Sequence, residues 1–271
     1  MKYGILGDIH GNLSALDIAL AAFRDARVER VISVGDVVGY GAAPRECIER
    51  LRQLDAVVVK GNHDAACTGE IEIRFFNNYA RDAVRWTQSV LTEDELAWLR
   101  SLPMVAHLEH CSVAHGTYHR PELYDYIQST TDADPSLDEM ILPVCFVGHT
   151  HVPGVFLEGP DFYSPDELDY RFELTDEKAI INVGSVGQPR DRDPRSSFVV
   201  VHTPGDISFG QGGSDDGPGG GSSPPTGPYK PPPGGYIEFV RIAYDVETTV
   251  KKVEAVPELD NFLGTRLLDG R

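Results

Sequence analysis

The chain has 271 residues, 24 of them basic and 42 acidic, for a formal charge of -18. That excess of negative charge argues against sequence-independent binding to nucleic acid and against attachment to an anionic membrane, although divalent cations can reverse the field locally and admit a phosphate. With 41% hydrophobic and 24% charged residues, the composition is that of an ordinary soluble globular protein able to bury a sizeable core.

Short apolar runs alternate with amphipathic segments through the first hundred residues. Strands are predicted at 3–6, 31–34 and 57–59, and helices at 13–27 and 44–54, where Leu13, Leu16, Leu20 and Phe23 recur at helical spacing and Pro44 suits a first turn. This βαβ rhythm predicts a largely parallel sheet with helices outside. Residues 75–102 read as helical, with Thr92-Glu93-Asp94-Glu95 as a capping box and with Trp86 and Trp98 in the core.

After Pro103 the rhythm changes to strands, at 104–108, 112–114, 144–147, 154–157, 170–174, 179–183, 197–202 and 236–244. This half is expected to form a second, mixed or antiparallel sheet. A helix over 245–253 and a tail in which Phe262, Leu263, Leu267 and Leu268 pack back close the chain. The predicted fold is α/β: a single domain over 1–271, built as a four-layer αββα sandwich of two mixed β-sheets flanked by helices.

Residues 204–235 are dominated by Gly, Pro, Ser and Asp. Such a segment has little apolar surface to offset ordering entropy, so it reads as a flexible insertion in a hairpin. Its proline run is either a tolerated surface insertion or a ligand for a proline-recognition domain. The four cysteines form no C-x-x-C pair and read as buried free thiols. With no charged-then-apolar leader and no apolar run long enough to span a bilayer, the expected location is the cytoplasm.

The chemistry-bearing residues gather at predicted strand ends. The first strand runs into Gly7-Asp8-Ile9-His10-Gly11-Asn12. In extended backbone, alternate side chains point the same way, so Asp8 and His10 would converge as a carboxylate and an imidazole suited to a divalent metal such as Mn, Fe or Zn. Asn12 reads as a helix N-cap. The second strand ends in Gly35-Asp36, and the third turns into a loop, Lys60-Gly61-Asn62-His63-Asp64. Later strands end in His115-Gly116 and Gly148-His149-Thr150-His151. The carboxyl ends of neighbouring strands form the crevice where α/β proteins build their sites. His107, His110 and His202 lie outside these motifs and read as surface or packing residues.

In this order, Gly-Asp-x-His, Gly-Asp, Gly-Asn-His-Asp, His-Gly and Gly-His-x-His resemble the motifs of the calcineurin-like metallophosphoesterase family. The resemblance implies two divalent ions, with Mn the first choice and Fe, Zn, Ni or Co as alternatives. Asp8, His10, Asp36 and His151 would hold the first, and Asp36, Asn62, His115 and His149 the second. It further implies His63 as the catalytic histidine and Asp64 as the acid that orients it. Paired ions lower the pKa of a bridging water, so the expected reaction is hydroxide attack on phosphorus. Asn62 would then help to stabilise the phosphoryl oxygens, and His63 would donate a proton to the leaving alkoxide.

The stretch Asn182-Val183-Gly184-Ser185-Val186-Gly187-Gln188-Pro189-Arg190-Asp191 resembles a segment of the small prokaryotic phosphodiesterase branch. Either Arg190 and the Gly-Ser turn hold a phosphate, or the stretch is a structural turn with an Arg-Asp pair. His119 is a further candidate for substrate contact. The second motif continues Gly35-Asp36-Val37-Val38-Gly39, without the Asp-Arg pair usual in Ser/Thr protein phosphatases and symmetrical diadenosine tetraphosphate hydrolases. The expected function is therefore a phosphodiesterase acting on a small phosphodiester or nucleotide. The alternatives are dinucleoside polyphosphate hydrolysis, protein-phosphatase-like phosphomonoester hydrolysis, nuclease action on long DNA, and a non-catalytic scaffold. The sequence carries no signal for oligomeric state.

Overall fold

A computed structural model of the chain describes residues 1–108, 110–159, 161–203 and 234–271. Strand and helix alternate at first: β1 (Lys2–Leu6), α1 (Leu13–Ala26), β2 (Arg30–Ser33), α2 (Pro44–Gln53) and β3 (Val57–Val58). Three helices follow, α3 (Asn62–Thr68), α4 (Asn78–Val90) and α5 (Glu93–Ser101). Next come β4 (Val105–His107), β5 (Cys111–Ala114), α6 (Thr130–Glu139), β6 (Val144–Val147), β7 (Gly154–Leu157) and β8 (Phe162–Tyr163). The chain ends with β9 (Arg171–Glu173), β10 (Ala179–Asn182), β11 (Ser196–His202), β12 (Tyr236–Ile242), α7 (Val246–Glu254) and α8 (Phe262–Thr265).

The strands form two six-stranded mixed sheets, ordered β3-β2-β1-β11-β12-β9 and β4-β5-β6-β10-β7-β8. Period-two alternation sorts their side chains between layers. Ile5, Ile32, Val199 and Ile237 of the first sheet meet Val113, Phe146, Val155 and Ile181 of the second in one buried cluster. On the outer face of the first sheet, Leu6 and Phe198 pack with Leu16 and Phe23 of α1 and with Ile48 and Leu51 of α2. Outside the second sheet, Ala133 and Leu137 of α6 cover Ala114, Cys145, Val147 and Ile180. The four layers are those expected.

The helix boundaries follow their caps. Asn12 accepts the N–H of Ala15 at the start of α1. At α5, Thr92 accepts the Glu95 N–H while Glu95 accepts that of Thr92, the predicted capping box. Trp86 and Trp98 are half-buried against apolar clusters. The four cysteines are free, and three of them are buried.

Four sequence expectations are corrected. The strand-rich half does not form the second sheet alone, because β9, β11 and β12 return to the first. β1 has β2 on one side only and takes β11 on the other, Gly4 facing Val200. Residues 62–64 are not loop but the first turn of α3, because Gly61 serves as N-cap and Asp64 turns back on its N–H. Helix α6, which lacks strong apolar periodicity and contains Pro135, was not predicted. In the tail, Leu263 and Leu267 are buried, but Phe262 and Leu268 are 43% and 49% exposed.

β11 and β12 pair antiparallel with His202 opposite Tyr236, the flanks of the predicted hairpin. The flexible insertion assigned to 204–235 lies, but for Gly234 and Gly235, outside the described residues. Its attachment at Thr203 is bonded to Met1, at the start of β1 and the opposite end of that strand from Asp8. Among the described residues no helix is long and apolar enough to cross a membrane.

Candidate metal centre

The loops leaving β1, β2, β3, β5 and β6 converge at one edge of the two sheets. Backbone hydrogen bonds join them: His10 N–H to Asp36 O at 2.9 Å, Gly11 N–H to Val37 O at 2.9 Å, and Gly148 N–H to His115 O at 2.8 Å. The His149 N–H donates to the Asp8 carboxylate, 3.1 Å from each oxygen. Asp8 and His10 are not in extended backbone, as their spacing led us to expect. Their φ values are both 49°, and Asp36, His149 and His151 are left-handed at 52°, 66° and 62°. Such backbone is disfavoured for residues with a Cβ and persists only where its surroundings over-determine it, commonly at functional sites. Convergence here comes from loop geometry rather than strand alternation.

The donors fall into three overlapping groups, each with ligand atoms within 4.8 Å of one another: Asp8, His10 and His151; His10, Asp36 and His63; and Asp36, His115 and His149. Asp36 is common to two of them, with Oδ2 at 3.5 Å from His10 Nε2 and 3.4 Å from His115 Nε2. Asn62 Oδ1 lies 3.1 Å from the same His115 nitrogen.

The imidazole tautomers follow from their outer contacts. His10 Nδ1 bonds Val38 O, His115 Nδ1 bonds Val34 O, and His151 Nδ1 bonds Gln188 O, at 3.1, 2.9 and 2.6 Å. A carbonyl only accepts, so each Nδ1 carries a proton, and the neutral rings of His10 and His151 turn a bare Nε2 inward. Yet His10 Nε2 and His151 Nε2 stand 3.2 Å apart. Two facing lone pairs repel unless a cation lies between them. The set of carboxylates, imidazoles and one amide therefore fits divalent transition metals.

Electrostatics agree. Burial pushes His10, His149 and His151 well below the ordinary histidine range. Burial lifts Asp8 to about 7, opposed by His115 and reinforced by Asp36. Burial also disfavours charge on Asp36, but His115 and His63 hold it well below the usual carboxylate range. His115 shows the converse: against burial, Asp36 lifts it to about 9.

His63 packs between Tyr40, His10 and Phe76, at ring-centroid distances of 4.4, 4.9 and 5.2 Å. Burial lowers its pKa to about 4. Its Nδ1 is buried without a hydrogen-bond partner. Asp64 does not orient this ring as expected, because both its oxygens are engaged elsewhere. Oδ1 accepts from Val37 and Val38 N–H, and Oδ2 from Gly61 N–H. Position three of a helix favours this turn back onto the N-cap.

The stretch 182–190 underpins the site, a role that its sequence signalled only as a motif. Asn182 donates to Gly148 O and to Thr150 Oγ1. Ser185 Oγ donates to Asp8 O and accepts from Gln188 N–H. Arg190 bonds Gln188 Oε1 and faces the Tyr40 ring at 5.8 Å. The alternative Arg190–Asp191 pair is not formed; Asp191 pairs with Arg241 instead. His119 lies 2.9 Å from Glu139 of α6 and is absent from the converging donors. Of the histidines outside the motifs, His107 meets Ser112 and His202 stacks on Tyr236.

Comparisons with known proteins accord with this geometry. A family model for the calcineurin-like phosphoesterase superfamily domain matches residues 1–206. An uncharacterized protein of Methanocaldococcus jannaschii is 30% identical over 272 residues, spanning 98% of this chain and 97% of the relative. The crystal structure of a metallophosphoesterase from Sphaerobacter thermophilus aligns at 33% identity with a TM-score of 0.78, covering 100% of this chain and 99% of its own. A hypothetical protein from Pyrococcus horikoshii OT3 shares the fold, with a TM-score of 0.72 at 16% identity over 100% of this chain and 98% of that one. The chain belongs to the calcineurin-like phosphoesterase superfamily and is a phosphoric ester hydrolase of that divalent-metal family.

Proposed function

We propose that the protein is a dinuclear-metal phosphodiesterase acting on a small phosphodiester or nucleotide. The observation that carries this reading is Asp36 Oδ2, which faces His10 on one side and His115 on the other, as a bridging carboxylate would. Asp8, His10, Asp36 and His151 would hold one ion, and Asp36, Asn62, His115 and His149 the other. Two divalent ions so bound polarise phosphoryl oxygens and activate water near neutral pH. Mn suits the mixed oxygen and nitrogen donors, as do Fe, Zn, Ni and Co.

The chain's own residues supply the remaining steps. Asn62, in the first turn of α3, directs its amide toward a phosphoryl oxygen. His63 is neutral at neutral pH, since its pKa lies near 4. Its N–H would hydrogen-bond the leaving oxygen as negative charge develops there, and solvent water would supply the proton that the departing alkoxide takes up. Arg190, held by Gln188, adds one positive charge at the rim. A diester presents one negative charge where a monoester presents two, and Gly39-Tyr40 stand where Ser/Thr protein phosphatases and diadenosine tetraphosphate hydrolases carry the Asp-Arg pair.

The test compares bis(p-nitrophenyl) phosphate, p-nitrophenyl phosphate and diadenosine tetraphosphate across Mn, Ni, Co, Zn and Mg, with Asp36→Asn as the blank. The diester is expected to be hydrolysed fastest. A markedly higher rate on the monoester or the polyphosphate, or no hydrolysis with any metal, overturns the reading.

A further inference from the structure

The loop between β5 and α6 leaves His115 and places Tyr126 against the second group of donors. A Cβ on Gly116 would stand 2.5 Å from Asp125 O, so the loop lies directly on the strand end. Ser136 Oγ of α6 accepts the N–H of Tyr118 and of His119. Arg120 and Tyr124, both left-handed at φ 50° and 53°, bound a short turn between them. Immediately after Tyr126, Ile127 is 2% exposed in the cluster of Ala133 and Leu137. These ties fix the backbone on both sides of Tyr126.

The Tyr126 ring stacks on His149, with centroids 3.9 Å apart and planes at 19°. The residue is nonetheless 48% exposed, so one ring face is covered by a candidate ligand and the other is open. Burial does not account for this placement. Tyr124, two residues earlier, shows the alternative: it is half-buried and its hydroxyl reaches Met104 Sδ. Arg190, Tyr40, Asp36 and Asp8 all lie near enough to influence the Tyr126 hydroxyl.

We propose that the open face of Tyr126 is a stacking subsite for a planar aromatic group, such as a nucleobase, carried on the ester substituent of the substrate. The assignment rests on the phosphodiesterase reading above and narrows it to esters of nucleosides or similar aromatic groups. A phosphoryl group among the donors, with Arg190 at the rim, brings its organic substituent over this loop. Aromatic side chains stack on any base because every base has a π-face.

Adenosine 5′-phosphate and ribose 5-phosphate differ at C1′, where one carries the base and the other a hydroxyl, which isolates this contact. Their dissociation constants are to be measured by calorimetry on Mn-loaded protein for the wild type, Tyr126→Ala and Tyr126→Phe, with metal content determined for each. Wild type and Tyr126→Phe are expected to prefer adenosine 5′-phosphate by about tenfold or more. Tyr126→Ala should abolish that preference by weakening the nucleotide alone. Equal weakening of both ligands would assign Tyr126 to supporting His149 and overturn the proposal, as would an unchanged ratio. If the diester is hydrolysed but no base preference exists, only the stacking subsite fails. If neither ligand binds and no diester is hydrolysed, the phosphodiesterase reading fails with it.

Discussion

One oxygen of Asp36 is fixed by the backbone of His63, whose N–H it accepts at 2.8 Å. The other is thereby aimed at His10 and His115. Asp36→Asn keeps the shape and an acceptor for His63 but removes the charge shared between the donor groups. We expect a folded protein by circular dichroism whose metal affinity falls about 100-fold or more. Metal retention at the wild-type level by elemental analysis would contradict a bridging role.

Asp64 holds the loop of Asp36 rather than the ring of His63. Its oxygens accept three backbone N–H groups, from Gly61, Val37 and Val38. In Asp64→Asn, the amide NH2 must meet at least one of those donors, and a buried unsatisfied N–H costs about 1–3 kcal/mol. The urea midpoint should fall accordingly, and metal affinity with it, because Val38 O positions His10. A variant that shifts the pH profile of turnover with stability unchanged would restore the orienting role.

Metal binding should release protons at pH 7. Asp36 and its neighbours lift His115 to about 9, and burial lifts Asp8 to about 7. A pKa above the ambient pH means that the proton is bound, and a ligand must give it up. Affinity is therefore expected to rise with pH until both groups are deprotonated. Calorimetric titrations of metal-free protein in two buffers of different ionisation enthalpy should give different heats. Identical heats would show that no proton leaves.

Gly187 permits the closest backbone approach in the site. A Cβ there would stand 1.8 Å from Ile9 O, between Asp8 and His10. Gly187→Ala must displace the whole first loop, and overpacking of this kind costs about 1–3 kcal/mol. The thermal midpoint and the metal content are expected to drop together, and an unchanged metal content would show the loop to be more compliant than its hydrogen bonds imply.

The hairpin register bears on the residues between β11 and β12. His202 pairs with Tyr236, and their rings stack at 4.2 Å. Deleting 204–233 leaves Thr203-Gly234-Gly235, a three-residue loop with glycine where hairpins of that length use it. Because this end of β11 lies beside the start of β1, metal content and diester turnover should match the full-length protein within about twofold, given that distant sites behave independently. A larger loss would give the deleted segment a part in the site.

The sequence made the donor residues legible because metal ligands must be specific residue types, and glycines flank them wherever backbones cross closely. Asp8, His10, Asp36, His115, His149 and His151 could all be read from strand-end motifs, and the structure brings them together. Their mode of convergence could not. Left-handed backbone at non-glycine residues has no local signature, so Asp8 and His10 read as extended. Strand exchange was hidden for a similar reason. The six buried residues of β11 announce a central strand but not which sheet receives it. Asp64 misled because its neighbour His63 supplied a familiar chemical reason, while the helix that captures Asp64 begins within the motif itself.

The return of β11 to β1 also sets the order in which the protein can be completed. Gly4 and Val200 are register partners, so the first strand must wait for almost two hundred residues to leave the ribosome before its second edge is covered. The bonds from Ser185 to Asp8 and from His151 to Gln188 come equally late. Until then the nascent chain exposes an unpaired apolar edge and an unfinished set of donors, a contact order that favours slow, post-translational assembly.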